Sequence, residues 1–189
     1  MPAQRLLEFW FGAPGSAGFG QSRQQWFIAD PGFDSEIRNR FATDYEAARD
    51  GRLDSWGGRP DTALALTILL DQVPRNIFRG TALAFATDGR AQVVAEAAVA
   101  AGFDRAVAPI QRLFFYLPFE HSETLVAQNR SIALVEMLAE DGLPGYLPYA
   151  IKHRDVIVAF GRFPHRNVAL ERTNTPEEET YLRANPKPF

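Results

Sequence analysis

Apolar residues return along this chain at helical spacing almost throughout. Phe33, Ile37, Phe41 and Tyr45 fall at i, i+4, i+8 and i+12, one stripe of a long helix that Gly51 stops. Next, ALALTILL (Ala63 to Leu70) is apolar on nearly every side, so its helix belongs at the centre of the fold, with Asp61 or Thr62 as cap. Pro74 is expected to end or kink that helix, because it lacks the N–H and crowds the preceding turn. Nearer the start, Leu6, Leu7, Phe9, Trp10 and Phe11 mark a first short helix, halted by Gly12, Pro14 and Gly15. A second short helix carries Trp26 and Phe27.

The second half continues the pattern. Thr87 or Asp88 caps a helix from Gly89 to Ala101, ended by Gly102. Pro109 opens the aromatic segment IQRLFFYL, and Pro118 suits the first turn of a long helix through Ala139 with Leu125, Ile132, Val135 and Leu138 on its stripe. Gly142, Pro144, Gly145 and Pro148 connect it to a helix from Tyr149 to Phe160. Asn174 or Thr175, Pro176 and the acids Glu177 to Glu179 then make a strong helix start. No segment sustains the apolar–polar alternation of a strand. The chain therefore reads as all-α, one domain over 1–189, with about eight helices packed as antiparallel pairs. No strict repeat with a shared signature is visible.

Composition removes several function classes. There is no cysteine, which excludes disulfides, zinc fingers and thiol chemistry. A net charge of -3 and a pI of about 5.6 argue against nucleic acid as the partner. The longest apolar stretch ends at Asp71, about half the length of a membrane span. The N-terminus lacks the basic lead and long apolar run of a signal peptide, so the reading is a soluble cytoplasmic protein without a membrane partner. The fifteen Phe, five Tyr and three Trp fall mostly at helical spacing and read as core. Trp10, Trp26 and Phe27 read as core or groove lining.

Polar residues with chemical potential collect where these helices stop. DQVPRNIFRG supplies Asp71, Gln72, Arg75, Asn76 and Arg79. If helical geometry persists past Pro74, Asp71, Arg75 and Arg79 align at four-residue spacing. They then either hold two guanidiniums toward an anion or stitch helix ends together. FFYLPFEHSETLVAQ supplies Glu120, His121, Glu123 and Gln128. On a helix begun at Pro118, His121 and Gln128 share the stripe of Leu125, Ile132 and Val135. A polar pair in such a stripe borders a cavity or is satisfied by another helix. His121 is then an acid or base oriented by a carboxylate, or part of a capping cluster. GRFPHRN places Arg162, His165, Arg166 and Asn167 just beyond a helix end, whereas His153 reads as a satisfied core histidine. There is no phosphate loop, dinucleotide fingerprint, nucleophile elbow or helical His-Glu-x-x-His, and the His121/Glu123 spacing does not face two ligands the same way. No metal is assigned, and nothing identifies a cofactor.

LEFWFG, LALTILLDQVPRNIFRGTALAFATD, FFYLP-x2-HSE-x4-Q, FGRFPHRN and NTPEE follow one another in the order of a known pattern. Over nearly its whole length the chain resembles the bacterial family catalogued as domain of unknown function 924. Glu120, and Glu171 where a small residue is expected before Arg172, depart from that pattern. The resemblance implies an all-helical fold similar to tetratricopeptide-like superhelices and implies no activity. It marks the same Arg, Asn, His and Gln residues. The expectation is one polar pocket for an anionic small molecule, a carboxylate or phosphate ester. His121 and His165 would supply acid–base chemistry. Asp71, Gln72, Arg75, Asn76, Arg79, Glu123, Gln128, Arg162, Arg166 and Asn167 would bind the ligand. The alternative is a tetratricopeptide-like scaffold that binds a peptide or partner protein in a concave groove, with the Arg-Asn motifs as staples.

Overall fold

A computed structural model describes residues 2–187. Among them are eight α-helices: α1 (Pro2–Phe11), α2 (Pro31–Arg49), α3 (Pro60–Ile77), α4 (Asp88–Ala100), α5 (Pro109–Glu120), α6 (Leu125–Glu140), α7 (Leu147–Phe160) and α8 (Pro176–Ala184). Short 3-10 turns fill most connections, and the described residues include no strand. Prolines open α2, α3, α5, α7 and α8, where a fixed φ helps and a missing N–H costs nothing. The Asp30 side chain caps α2 by accepting from Gly32 and Phe33 N–H, and Thr175 with Glu178 forms a reciprocal capping box on α8.

The apolar pattern explains the packing. Phe33, Ile37, Phe41 and Tyr45 are all buried along α2. Residues 63–74 of α3 are buried without a break, and α3 packs against α1, α2, α4 and α5. From α2 to α7, each helix packs on the next in chain order. Phe114 of α5 gathers Trp10, Phe11 and Trp26 around it, with ring centroids 5.9, 5.2 and 5.0 Å away and near-perpendicular rings. Each such ring contributes about 0.5–1.5 kcal/mol beyond its burial. Phe27 is exposed instead and meets Trp26 at the edge of this cluster and Tyr146. Trp26 sits in a 3-10 turn, not a helix.

Two prolines depart from the sequence expectation. Pro74 lies inside α3, which runs on to Ile77. Pro74 cannot donate to the carbonyl four residues back, that of Leu70, but the Thr87 hydroxyl donates to it at 2.5 Å. Thr87 therefore does not cap α4 with its side chain; it repairs α3. Arg59, not Asp61 or Thr62, stands at the N-cap position of α3. Pro118 likewise lies inside α5, and α6 begins only at Leu125, capped by Thr124 through Ala127 N–H. His121 thus terminates α5 and shares no helix face with Gln128. On α7 the buried stripe is Ala150, His153, Val156 and Ile157, while Tyr149 is exposed.

Gly161, in the left-handed region at φ 69°, ends α7 and turns the chain into residues 162–167. Val156, Ile157 and Phe163 form a satellite core there with Phe160 and Tyr181 of α8. Glu171 adopts φ 54°, a conformation that suits glycine far better than glutamate. No helix among the described residues is long and apolar enough to cross a membrane.

Candidate functional site

The C-terminal half of α3 projects Asp71 into a fully enclosed position. A lone carboxylate there would be costly, and three partners offset the cost. Gln72 Nε2 donates to Oδ2 at 2.7 Å, His121 Nδ1 lies 2.7 Å from Oδ1, and Arg75 Nη1 stands 3.4 Å from Oδ1. Burial works to raise the Asp71 pKa, but the neighbouring charges and hydrogen bonds hold it below the usual carboxylate range. Burial and the Arg75 charge push His121 the other way, toward the neutral imidazole, against the pull of Asp71. A neutral ring 2.7 Å from an ionised carboxylate keeps its proton on Nδ1 and donates it. Nε2 then carries the lone pair of a base oriented by a carboxylate.

Side chains hold the backbone on both sides of His121. Gln128 Nε2 donates to the carbonyls of Glu120 and Ser122, each at 2.7 Å, and Arg166 Nη2 donates to the carbonyl of His121 at 2.8 Å. Three consecutive carbonyls at the end of α5 are thereby satisfied, and the imidazole is fixed against Asp71.

Asp88, at the start of α4, joins the two arginine motifs. Arg75 grips it with both Nη atoms at 2.7 and 2.9 Å and also donates to the Asp71 carbonyl at 2.7 Å. Arg166 Nη1 reaches Asp88 Oδ2 at 3.2 Å. The Arg166 guanidinium lies over the rings of Phe85 and Phe163, 4.7 and 4.6 Å from their centroids. Burial and Arg75 bring its pKa down to about 10, so it stays charged at neutral pH. In the sequence Asp88 reads only as a candidate cap of α4, not as the partner of two arginines.

The remaining sequence candidates lie elsewhere. Arg79 binds Asp34 through Nε and Nη2, each at 2.8 Å, tying the end of α3 to the start of α2. Asn76 donates to the Gln72 carbonyl at 2.8 Å. Arg162 pairs with Glu178 at 2.6 and 2.7 Å, and Asn167 bonds Asn174 and Glu178. Glu123 accepts from Arg172, at 2.7 and 3.0 Å, and from Phe163 N–H at 2.8 Å. Arg172 was also overlooked; it completes a network that docks α8 on the loop after α7. His165 Nε2 contacts the Asn185 carbonyl at 2.7 Å, and its ring meets Tyr181, so it does not join the Asp71–His121 cluster. Four candidates therefore converge around Asp88, directly or through one partner: Asp71, Arg75, His121 and Arg166; Gln72 bonds Asp71, Gln128 holds the backbone on either side of His121, and Asn76 bonds the Gln72 carbonyl. Arg79, Glu123, Arg162, His165 and Asn167 serve other contacts.

Two surface grooves lie away from His121. One of about 470 Å³ lies between Asp34, Arg38, Asn76 and Arg79; another of about 540 Å³ is lined by Leu7, Phe19, Arg59 and Gln111 among others. The side chains of His121, Arg166, Arg75 and Asp88 are 15%, 14%, 18% and 19% exposed, enough to meet a small ligand but not an extended chain. Chemistry, not volume, makes this cluster the candidate site. Among the described residues no group of three or more His, Asp or Glu side chains could hold a metal ion.

The family model described as a bacterial protein of unknown function, DUF924, matches residues 6–186. A solved structure of a protein of unknown function from Agrobacterium tumefaciens is similar at a TM-score of 0.86 and 43% identity, over 96% of this chain and 97% of that one. No curated protein matches the chain.

Proposed function

The chain belongs to the DUF924 family, and we propose that it binds a small anionic molecule, a carboxylate or phosphate ester, beside His121 and acts on it by proton transfer. The observation that carries this reading is the 2.7 Å contact of His121 Nδ1 with the buried carboxylate of Asp71. It makes Nε2 a base at neutral pH and holds the ring still. Arg166 and Arg75 supply the attraction for the anion, because guanidiniums withdrawn from water act more strongly than surface charges. Arg79, Arg162 and His165 take no part in this reading.

The first test is the histidine tautomer, read from ¹⁵N NMR at pH 7. The expected signal is a neutral His121 protonated on Nδ1. A His121 that is charged, or protonated on Nε2, removes the base and sinks the reading. Native mass spectrometry of gently purified protein tests the ligand: a reproducible small adduct should disappear in Arg166→Ala while the fold persists.

A second reading has its own support. The chain-order packing of α2 to α7, and the pairing of Arg75, Arg79, Arg162 and Arg166 with carboxylates, suit a tetratricopeptide-like scaffold for a peptide or partner protein. On that reading, truncating these arginines lowers stability alone and leaves no small-molecule adduct to lose.

A further inference from the structure

Four carboxyl side chains are buried among the described residues: Asp71, Asp104, Glu120 and Glu178. Three have partners that suit a carboxylate. Asp71 has Arg75 and His121; Glu178 has Arg162 on both oxygens; Asp104 accepts the Tyr116 hydroxyl at 2.7 Å and has Arg105 at 3.6 Å. Glu120 differs. Its one close charged-type contact is His153 Nδ1 at 3.1 Å, and that nitrogen also lies 2.9 Å from the Tyr149 carbonyl. Among the described residues no arginine or lysine pairs with it, and Asp71 is near enough to repel its negative form. A carboxyl kept out of water without a cation is costly to ionise, and it stands one residue from the base of the site.

Building on the proton-transfer reading above, we infer that Glu120 is a second acid–base group of this site, presenting an O–H to the ligand's anionic oxygen opposite the base at His121. The placement supports this. The His121 and His153 rings lie 6.4 Å apart, centroid to centroid, so the Glu120–His153 pair sits directly beside the Asp71–His121 pair. The groups facing Glu120 from other elements are Asp71 on α3 and His153 on α7, with Arg166 bearing on His153. Burial, with repulsion from Asp71, pushes Glu120 up to about 8. Burial brings His153 down to about 3. The 3.1 Å contact has ion-pair length, but it joins a neutral acid to a neutral imidazole. The His153 Nδ1–H goes to the Tyr149 carbonyl, which can only accept, so His153 Nδ1 does not consume the Glu120 hydroxyl.

A neutral acid is what an anion site needs at this position. A carboxylate would repel the ligand, whereas the O–H donates to it. In a transfer step the Glu120 O–H bond breaks, the ligand O–H bond forms, and the electron pair stays on Glu120. His121 Nε2 takes a proton from the ligand or from water, so the site gives one proton and takes one.

The test is a ¹³C titration of glutamate side-chain carboxyls from pH 5 to 9.5, in wild type and Glu120→Gln, with and without sulfate. Sulfate imitates a tetrahedral oxyanion and does not itself titrate in this range. One resonance, absent from Glu120→Gln, should titrate near pH 8, and sulfate should raise its midpoint by about 0.5 unit or more. If that resonance titrates below pH 6, the inference is overturned and the base at His121 stands untouched. A high midpoint that stays fixed while sulfate shifts the His121 ring signals overturns it too, leaving a purely structural acid. Sulfate that moves neither signal defeats the anion-binding reading itself, and the inference falls with it.

Discussion

The Thr87 hydroxyl donates to the carbonyl of Leu70, the group that Pro74 leaves without a helical partner. A proline inside a buried helix is thus made tolerable by a side chain thirteen residues further on. Thr87→Val keeps the shape, removes the donor and strands a buried carbonyl. It should lower stability by about 1–3 kcal/mol in urea denaturation. The decisive variant is the double one. In Pro74→Ala the residue-74 N–H can reach Leu70, so adding Thr87→Val should cost much less than it does in wild type. Equal costs in both backgrounds would mean that the hydroxyl does not replace the missing bond.

Glu171 in the left-handed region is a second local strain. A non-glycine residue there costs about 1–2 kcal/mol, part of which glycine returns through its freer unfolded chain. Glu171→Gly should therefore stabilise the fold by about 0.5–1 kcal/mol. A melting temperature that is unchanged or lower would show that Glu171 makes a compensating contact.

These two sites show where sequence reasoning held and where it gave way. Phe33, Ile37, Phe41 and Tyr45, and the run Ala63 to Leu70, are buried as their spacing requires, because burial follows a period that a single helix carries by itself. Pro74 reads as ending or kinking its helix, since the local rule for proline knows nothing of a hydroxyl arriving from another element, and Pro118 reads as a helix start. The misplaced start at Pro118 put His121 on the wrong helix. The arginine motifs stood out as chemistry, but their partners did not. Asp34 lies 45 residues from Arg79, Asp88 lies 78 from Arg166, and Glu123 lies 49 from Arg172. Such pairs are created by the packing of helices, and no periodicity announces them. Glu171 is the exception: an unexpected glutamate before Arg172 was visible in the sequence and coincides with the positive φ.

The docking of α8 should fail first in acid. Bonds from Arg162, with help from Thr175 N–H and Asn167, hold Glu178 down to about 2, from an ordinary value of 4.5. A depressed folded-state pKa contributes stability that is complete above 4.5 and is lost as pH falls toward 2. Hydrogen exchange at pH 3 should show α8 amides exchanging ahead of those in α3. Glu178→Gln should give the same weakened α8 at pH 7 and little further loss on acidification. Uniform exchange across the chain at pH 3 would count against a separable α8.

The alkaline side belongs to Glu120. Its folded-state pKa of about 8 exceeds the ordinary 4.5, so its contribution is complete below 4.5 and is lost as pH rises through 8. The buried histidines run the opposite way. His153, at about 3, and His121, also depressed, favour the fold above the ordinary 6.5 and weaken it as pH falls below that value. Between 4.5 and 6.5 one glutamate opposes two histidines, so His153 offsets Glu120 and His121 leaves a net rise in stability toward 6.5. Between 6.5 and 8 only Glu120 acts, so wild-type stability should fall there by up to about 1.4 kcal/mol per pH unit. Urea denaturation at pH 6.5, 7.2 and 8 measures that slope. Glu120→Gln, an amide of the same shape that cannot ionise, should flatten it. A wild-type slope that persists in Glu120→Gln would place the titrating group elsewhere and remove the thermodynamic basis for an acid beside His121.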